Sequence, residues 1–184
     1  HLTLWVGFLG AAIAAREGRL VSLAPTEYMP EGFWRRTAHT VSSIVAAGIT
    51  ALLTLAALQL VLVERDSGTM VAMIPTWVAQ LVLPISFALI ALRLVWRAGD
   101  TWAPRALAAL GLVAGIALGQ YPQVMETFPS WPGLLIVLVG SALGGPIFTM
   151  LGGVAVLLFM KDGVPIAAMP VETYRLAVSP TLAA

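Results

Sequence analysis

The chain has 184 residues, of which 59% are hydrophobic and only 10% are charged, and its formal net charge at pH 7 is +1. Soluble domains carry about 25% charged residues, so this chain cannot cover a surface with polar groups and is predicted to be a polytopic membrane protein. The small net charge argues against a nucleic-acid partner. Without cysteine the chain forms no disulfide and no thiolate metal site. Residue 1 is His and both ends lie in apolar sequence, which predicts an internal fragment of a longer protein.

Five apolar segments approach or reach the length of about 20 residues that a helix needs to cross the hydrocarbon core. The predicted fold class is therefore all-α, a membrane protein with about five transmembrane helices. The fourth segment is short and contains three glycines, so it also fits a re-entrant or interfacial segment. The five segments are residues 2–15, 38–63, 71–95, 106–119 and 133–160.

Two further segments mix apolar, aromatic and charged residues. Residues 20–36 contain Pro25 and Pro30, and the tail 163–184 contains Pro165, Pro170 and Pro180. Proline prevents one continuous helix in either segment, and the composition predicts amphipathic segments in the plane of the membrane interface. Tryptophans near the predicted span ends fit the same interface; they are Trp77, Trp96, Trp102 and Trp131.

The basic residues predict the orientation of the five segments, because cytoplasmic loops collect Lys and Arg. If every segment crosses the membrane, nine of the ten basic residues fall on one side. We therefore expect a multi-pass protein with His1 outside and the tail inside. The nine residues are Arg16, Arg19, Arg35, Arg36, Arg93, Arg97, Arg105, Lys161 and Arg175.

The sequence contains no nucleophile motif, phosphate loop, metal-ligating cluster or acid–base pair. We therefore predict no catalytic and no metal site, and expect that the chain is not an enzyme. His39, near Arg36 at the predicted inner end of the second segment, fits an interfacial anchor or a proton relay. Gln59 and Gln80 lie within predicted spans, where they fit hydrogen bonds between helices or contact with substrate. Arg93 is expected to extend to the interface.

The fifth segment contains five residues that would break a soluble helix: Gly144, Gly145, Pro146, Gly152 and Gly153. Small residues let helix backbones approach closely in lipid. Proline kinks a helix and frees a carbonyl group that a neighbour must satisfy. We predict that these residues mediate packing of one kinked spanning helix, and a kink that serves a moving transport domain is the alternative.

Three blocks of the sequence resemble tripartite ATP-independent periplasmic (TRAP) transporters. "LTLWVGFLGAAIAAREG" is similar to the second membrane helix of their small (Q) subunit, and "IPTWVAQLVLPISFALIALRLVWR" is similar to its last helix. "GGPIFTMLGGVAVLLFMKDGVPIAAMPVETYRLAVSPTLAA" resembles the start of the large (M) permease subunit. This order resembles fused Q–M proteins, in which an extra helix joins the two parts. The chain departs from the family at Arg19-Leu20, where a His-Ile pair is common.

The resemblance implies a division of the chain into three parts. Residues 1–97 would be the small-subunit helices without the first one, residues 98–132 a joining helix and an outside loop, and residues 133–184 the truncated start of the large subunit. It implies a component of a bacterial inner-membrane symporter for carboxylate-bearing solutes, such as dicarboxylates or other organic acids. Sodium would be the coupling ion, bound outside this fragment, and no other cofactor is expected.

The implied partners are a periplasmic solute-binding protein, the remainder of the large permease subunit and membrane lipid. Glu64, Asp66 and Glu126 lie in the predicted outside loops 64–70 and 120–131, where they fit solvated loop charges or a docking surface for the binding protein. A non-transporting membrane scaffold or assembly subunit is the alternative function.

Overall fold

The protein is described here by a computed structural model that covers residues 2–17, 32–67, 70–71, 74–99, 101–121, 123, 129–166 and 168. These residues are almost entirely helical, which confirms the all-α fold class. The helices are α1 (Leu2–Glu17), α2 (Phe33–Ser67), α3 (Thr76–Gln80), α4 (Val82–Trp96), α5 (Trp102–Gln120), α6 (Trp131–Ala142) and α7 (Ile147–Lys161), and the strands are β1 (Met70–Val71) and β2 (Ile74–Pro75).

Among the described residues, three stretches of helix are long and apolar enough to cross a membrane: Trp34–Asp66, Thr76–Trp96 and Trp102–Gln120. The third corresponds to the predicted fourth segment, which is thus one continuous helix of 19 residues. At 1.5 Å per residue it is about 28 Å long. Shorter apolar helices are formed by Trp5–Ala15, Trp131–Ala142 and Ile147–Lys161.

Helix α2 is the central element, and α4, α5, α6 and α7 all pack against it. Its 35 residues span about 52 Å, more than the hydrocarbon core of about 30 Å. It begins at Phe33, so residues 33–36 are helical rather than part of the predicted in-plane segment. The reason is that Pro30 and Gly32 are the last helix-breaking residues before it. The rest of that prediction lies largely in residues 18–31, outside the described residues.

Small side chains allow α2 to be surrounded on several sides. Ala47, Ala56 and Ala57 are fully buried, so neighbouring helices can approach its backbone. Two buried or half-buried hydroxyl groups are satisfied within the helix: Thr50 Oγ1 donates to Ala46 O at 2.6 Å, and Thr54 Oγ1 donates to Thr50 O at 2.8 Å. Such bonds to the carbonyl one turn earlier remove the cost of burying a hydroxyl.

A short antiparallel ladder returns the chain from α2 to α3. Val71 pairs with Ile74 and Met70 with Pro75, so Val71, Ile74 and Pro75 lie in strands and do not start the third spanning helix as predicted. Helices α3 and α4 then form one rod that is interrupted at Leu81. The interruption follows from Pro84, which has no N–H for the carbonyl group of Gln80 and whose ring crowds that group.

Helix α5 runs parallel to α2 at backbone contact distance. A Cβ atom on Gly111 would lie 2.5 Å from Ile44 O, one on Gly115 would overlap the Gly48 carbonyl, and one on Gly119 would lie 2.6 Å from Leu55 Cδ1. The residue numbers of the contacting pairs increase together along α2 and α5, so the two helices run in the same direction.

The structure corrects the prediction that residues 133–160 form one kinked spanning helix, because α6 and α7 form a helical hairpin. A Cβ atom on Gly133 would lie 3.2 Å from Leu157 Cδ1, and one on Gly153 would lie 3.1 Å from Val137 Cγ1. In a continuous helix Val137 and Gly153 would be about 24 Å apart. The two helices are therefore antiparallel neighbours.

The hairpin turn follows directly from its glycines and proline. Gly145 N–H donates to Gly140 O at 3.2 Å, and Gly144 has a φ of 105°, which is the Schellman arrangement that ends a helix. Pro146 cannot donate a backbone hydrogen bond and forms the N-cap of α7. These residues stop one helix and start the next, rather than kinking a single helix.

The main apolar core lies between α2 and the hairpin. It contains Ile49, Leu53, Val156 and Leu157, with Met160 almost fully buried beside them. On another side of α2, Phe8 of α1 meets Phe87 of α4 edge to face, with ring centroids 5.5 Å apart. The hairpin is thus held by the same helix that organises the rest of the bundle.

Candidate functional site

Helix α2 begins, α4 ends and α5 begins at the same end of the bundle. We call this the arginine end, defined by Arg35, Arg36, Arg97 and Arg105. The predicted loops place these four residues on one side, and the structure brings them together. A cavity of 560 Å³ lies between these helix ends, lined in part by Arg35, Arg36 and Arg97.

The turn between α4 and α5 is anchored from both sides. His39 Nδ1 lies 3.3 Å from Ala98 O, and because a carbonyl group only accepts, Nδ1 donates in this bond. Arg105 Nε donates to Gly99 O at 3.0 Å, and its guanidinium lies 5.6 Å from the centroid of the exposed Trp96 ring. This geometry favours the anchor over the relay for His39.

The opposite end of α2 is the carboxylate end, defined by Glu64 and Asp66. Glu64 is half-buried and Asp66 is exposed. Carboxylates in the last turns of a helix oppose its macrodipole, at a typical cost of about 0.3–1 kcal/mol each. The macrodipole of α2 therefore does not explain their position. Glu126, the third predicted docking residue, lies outside the described residues.

The hairpin changes which residues lie at the same end of the helix bundle. Gly140 packs on Val45, Gly153 on Ile49 and Gly152 on Leu53, so the hairpin tip points toward the arginine end. The start of α6 and the end of α7 therefore both lie toward the carboxylate end. Five crossings predict that Lys161 lies at the arginine end. It does not, because the chain turns back at residues 143–146.

The five predicted packing residues take two different positions in the hairpin. Gly144, Gly145 and Pro146 form its tip, and the last two are buried. Gly152 and Gly153 are buried on α7 against α2; a Cβ atom on either would lie 3.0 Å or less from a side chain of α2. Sequence reasoning placed all five on one helix, whereas the structure separates a turn from a packing face.

The polar residues predicted within the spans do not converge on one site. Gln80 is half-buried, and its Oε1 has no hydrogen-bond partner among the described residues; Gln59 is also half-buried, and Arg93 is exposed. No group of three or more His, Cys, Asp or Glu side chains that could hold a metal ion occurs in the part of the chain that the structure describes.

Comparison with known families gives the assignment. Residues 1–104 match the model of the DctQ component of tripartite ATP-independent periplasmic transporters. The chain belongs to the DctQ family. It is therefore a membrane component of a TRAP transporter, and the predicted resemblance to the small subunit is confirmed.

The DctQ match covers α1 to α4, the turn beyond α4 and the first residues of α5. The arginine end and the carboxylate end of α2 both lie within it. The large-subunit assignment of residues 133–184 lies beyond it and stays a prediction. No curated protein and no solved structure matches the chain.

Sequence reasoning missed two features of this DctQ-family chain. Gly111, Gly115 and Gly119 follow at intervals of four residues, which is the spacing of a close helix contact in lipid. This spacing is visible in the sequence and predicts such a contact, whereas the count of glycines alone indicates only a weak fourth segment. The Gly-Gly-Pro sequence at 144–146 is likewise a helix stop followed by a helix start.

Proposed function

We propose that the DctQ part of this chain is the fixed scaffold of a TRAP transporter. The observation that carries the proposal is the family match over residues 1–104, which coincides with helices packed around α2. That packing is close: Ala57 of α2 and Val82 and Leu83 of α4 form one buried cluster, and Phe8 of α1 and Phe87 of α4 pack against it. Close-packed interiors deform little, which suits a part that holds still while another part moves.

The proposed transport is sodium-driven uptake of carboxylate-bearing solutes across the bacterial inner membrane. Transport that is independent of ATP needs another source of free energy, and a sodium gradient is the source we propose. The sodium and solute sites would lie in the large permease subunit, and a periplasmic solute-binding protein would deliver the solute.

We further propose that residues 133–184 begin the large subunit, joined to the DctQ part by α5. In this arrangement α6 and α7 are the first large-subunit elements, and they pack on α2 through Gly140, Gly152 and Gly153. The hairpin would then be the place where the moving subunit is tied to the scaffold.

Reconstituted transport tests the proposal. The full-length gene product and its binding protein are placed in proteoliposomes, and uptake of radiolabelled carboxylates is measured with an imposed sodium gradient. We expect uptake that stops when potassium replaces sodium and does not change when ATP is added. Sodium-independent uptake would overturn the proposed coupling. Uptake that persists in full without the DctQ part would favour the non-transporting assembly subunit.

The carboxylate end is the proposed docking surface for the binding protein. Replacing Glu64→Lys and Asp66→Lys together should raise the concentration of binding protein that gives half-maximal uptake roughly tenfold, since each exposed ion pair contributes up to about 1 kcal/mol. The maximal rate should be unchanged.

A control for this test lies at the other end of the bundle. Ala103→Lys adds one positive charge at an exposed residue of the arginine end that does not line the cavity, and it should leave uptake unchanged. Equal effects of the Ala103 variant and the double variant, or no effect of the double variant, would contradict docking at Glu64 and Asp66.

A further inference from the structure

The cavity at the arginine end gathers positive charge from separate elements of the bundle. Arg36 lies in the first turn of α2, and Arg97 follows the last residue of α4; both side chains are exposed at the cavity. Arg35, also on α2, is half-buried in the same wall. None of the described lining residues is acidic.

The backbone around the cavity also favours an anion. Helices α2 and α5 both begin here, and the N-terminus of a helix carries a partial positive charge and free N–H groups. Thr101, the N-cap of α5, lines the cavity and makes no side-chain capping bond. Guanidinium groups bind phosphate oxygens by paired hydrogen bonds, so the lining fits a phosphate group.

Three tryptophans place this cavity at the depth of lipid headgroups. Trp34 is 78% exposed, Trp96 is 64% exposed and Trp102 is 84% exposed. They lie at the start of α2, the end of α4 and the start of α5, the same helix ends that form the cavity. Exposed tryptophans on spanning helices mark the membrane–water interface. A phosphate group at that depth belongs to a phospholipid more readily than to a soluble metabolite.

We propose that the cavity binds the headgroup phosphate of an anionic phospholipid. Arg36 and Arg97 contact the phosphate from two sides, and the acyl chains lie along the apolar outer surface of α4 and α5. Leu92 of α4 and Leu107 of α5 are exposed on that surface. The lipid thereby links the first turn of α2 to the α4–α5 turn, which His39 and Arg105 already hold in position.

The binding test uses the full-length protein in a neutral detergent, titrated with short-chain phosphatidylglycerol. The readout is the thermal unfolding temperature as a function of lipid concentration. We expect a saturable rise with phosphatidylglycerol and none with phosphatidylcholine. Changing Arg36→Gln and Arg97→Gln together should raise the apparent dissociation constant roughly 30-fold, since each basic residue near an anionic headgroup contributes a factor of about five.

A matched control separates the site from general attraction to anionic lipid. Arg65→Gln removes an exposed arginine at the carboxylate end and should leave the lipid response unchanged. Equal loss in the Arg65 variant would overturn the site. If the double glutamine variant does not fold, Arg36→Lys with Arg97→Lys keeps the charge but removes paired hydrogen bonds, and a saturable response weaker than that of the wild type is expected. An unchanged response would overturn the proposed guanidinium contacts.

Two other occupants are outcomes of the same test. Inorganic phosphate that gives the same rise as phosphatidylglycerol would assign the cavity to a soluble anion and overturn the lipid proposal. In the sequence Asp100 lies between the lining residues Gly99 and Thr101, and Glu31 precedes Arg35 by four positions; neither lies in the described part of the chain. A lipid response that appears only after Glu31→Gln or Asp100→Asn would mean that a carboxylate of this chain occupies the site, which also overturns the proposal.

Discussion

At the scale of single residues, the glycines of this chain have different structural roles. Gly144 adopts a φ of 105°, a conformation that side chains with a Cβ rarely enter. Gly10 lies within α1, and a Cβ atom added there would meet no atom within 4 Å. The first glycine is required by its backbone conformation, whereas the second occupies a position that other residues could fill.

This difference predicts opposite effects of the same substitution. Gly144→Ala should lower the free energy of unfolding by about 1–3 kcal/mol because alanine is strained at that φ. Gly10→Ala should be neutral or raise it by up to about 1 kcal/mol, since alanine favours a helix. Unfolding in detergent, followed by circular dichroism, measures both changes. Equal stability of the two variants would contradict the turn at Gly144.

At the scale of elements, α5 has one face that is buried against α2 and another that is exposed. Gly111, Gly115 and Gly119 are buried against α2, whereas Leu110 and Val113 are exposed on other faces. In lipid, helices associate through close backbone packing rather than through the hydrophobic effect. The small face therefore fixes the position of α5 against α2, and the large side chains are left on the exposed face.

The two faces of α5 should respond differently to added volume. Gly115→Ala places a Cβ atom against the Gly48 carbonyl and should cost about 1–3 kcal/mol, as overpacking typically does. Ala114→Leu adds more atoms to the exposed face and should change the stability little. Thermal unfolding of the two purified variants tests this, and a larger loss for Ala114→Leu would refute the assigned faces.

At the scale of the whole molecule, the hairpin decides the topology. Helices α6 and α7 have 12 and 15 residues, about 18 and 22 Å, so neither reaches across a hydrocarbon core of about 30 Å. Both ends of the hairpin lie toward the carboxylate end. The chain therefore leaves α7 on the side of Asp66, opposite to the arginine end.

Accessibility of single cysteines tests this topology, and the chain has no cysteine of its own. Asp66→Cys and Asp162→Cys should react with a membrane-impermeant maleimide from the same side. Thr101→Cys, at the arginine end, should react only from the other side. If Asp162→Cys reacted from the same side as Thr101→Cys, the fifth segment would span the membrane completely, and the hairpin would be contradicted.

The sequence by itself determined the membrane class, the helical fold and the family. The reason is that the length and composition of an apolar segment depend on all of its residues and not on one contact. It also determined that Arg35, Arg36, Arg97 and Arg105 share an end, since alternate crossings place them there. Only the tertiary structure decided that residues 133–160 turn back. A Gly-Gly-Pro sequence is compatible with a kinked helix and with a hairpin, and the contacts across the turn, such as Val137 with Gly153, select between them.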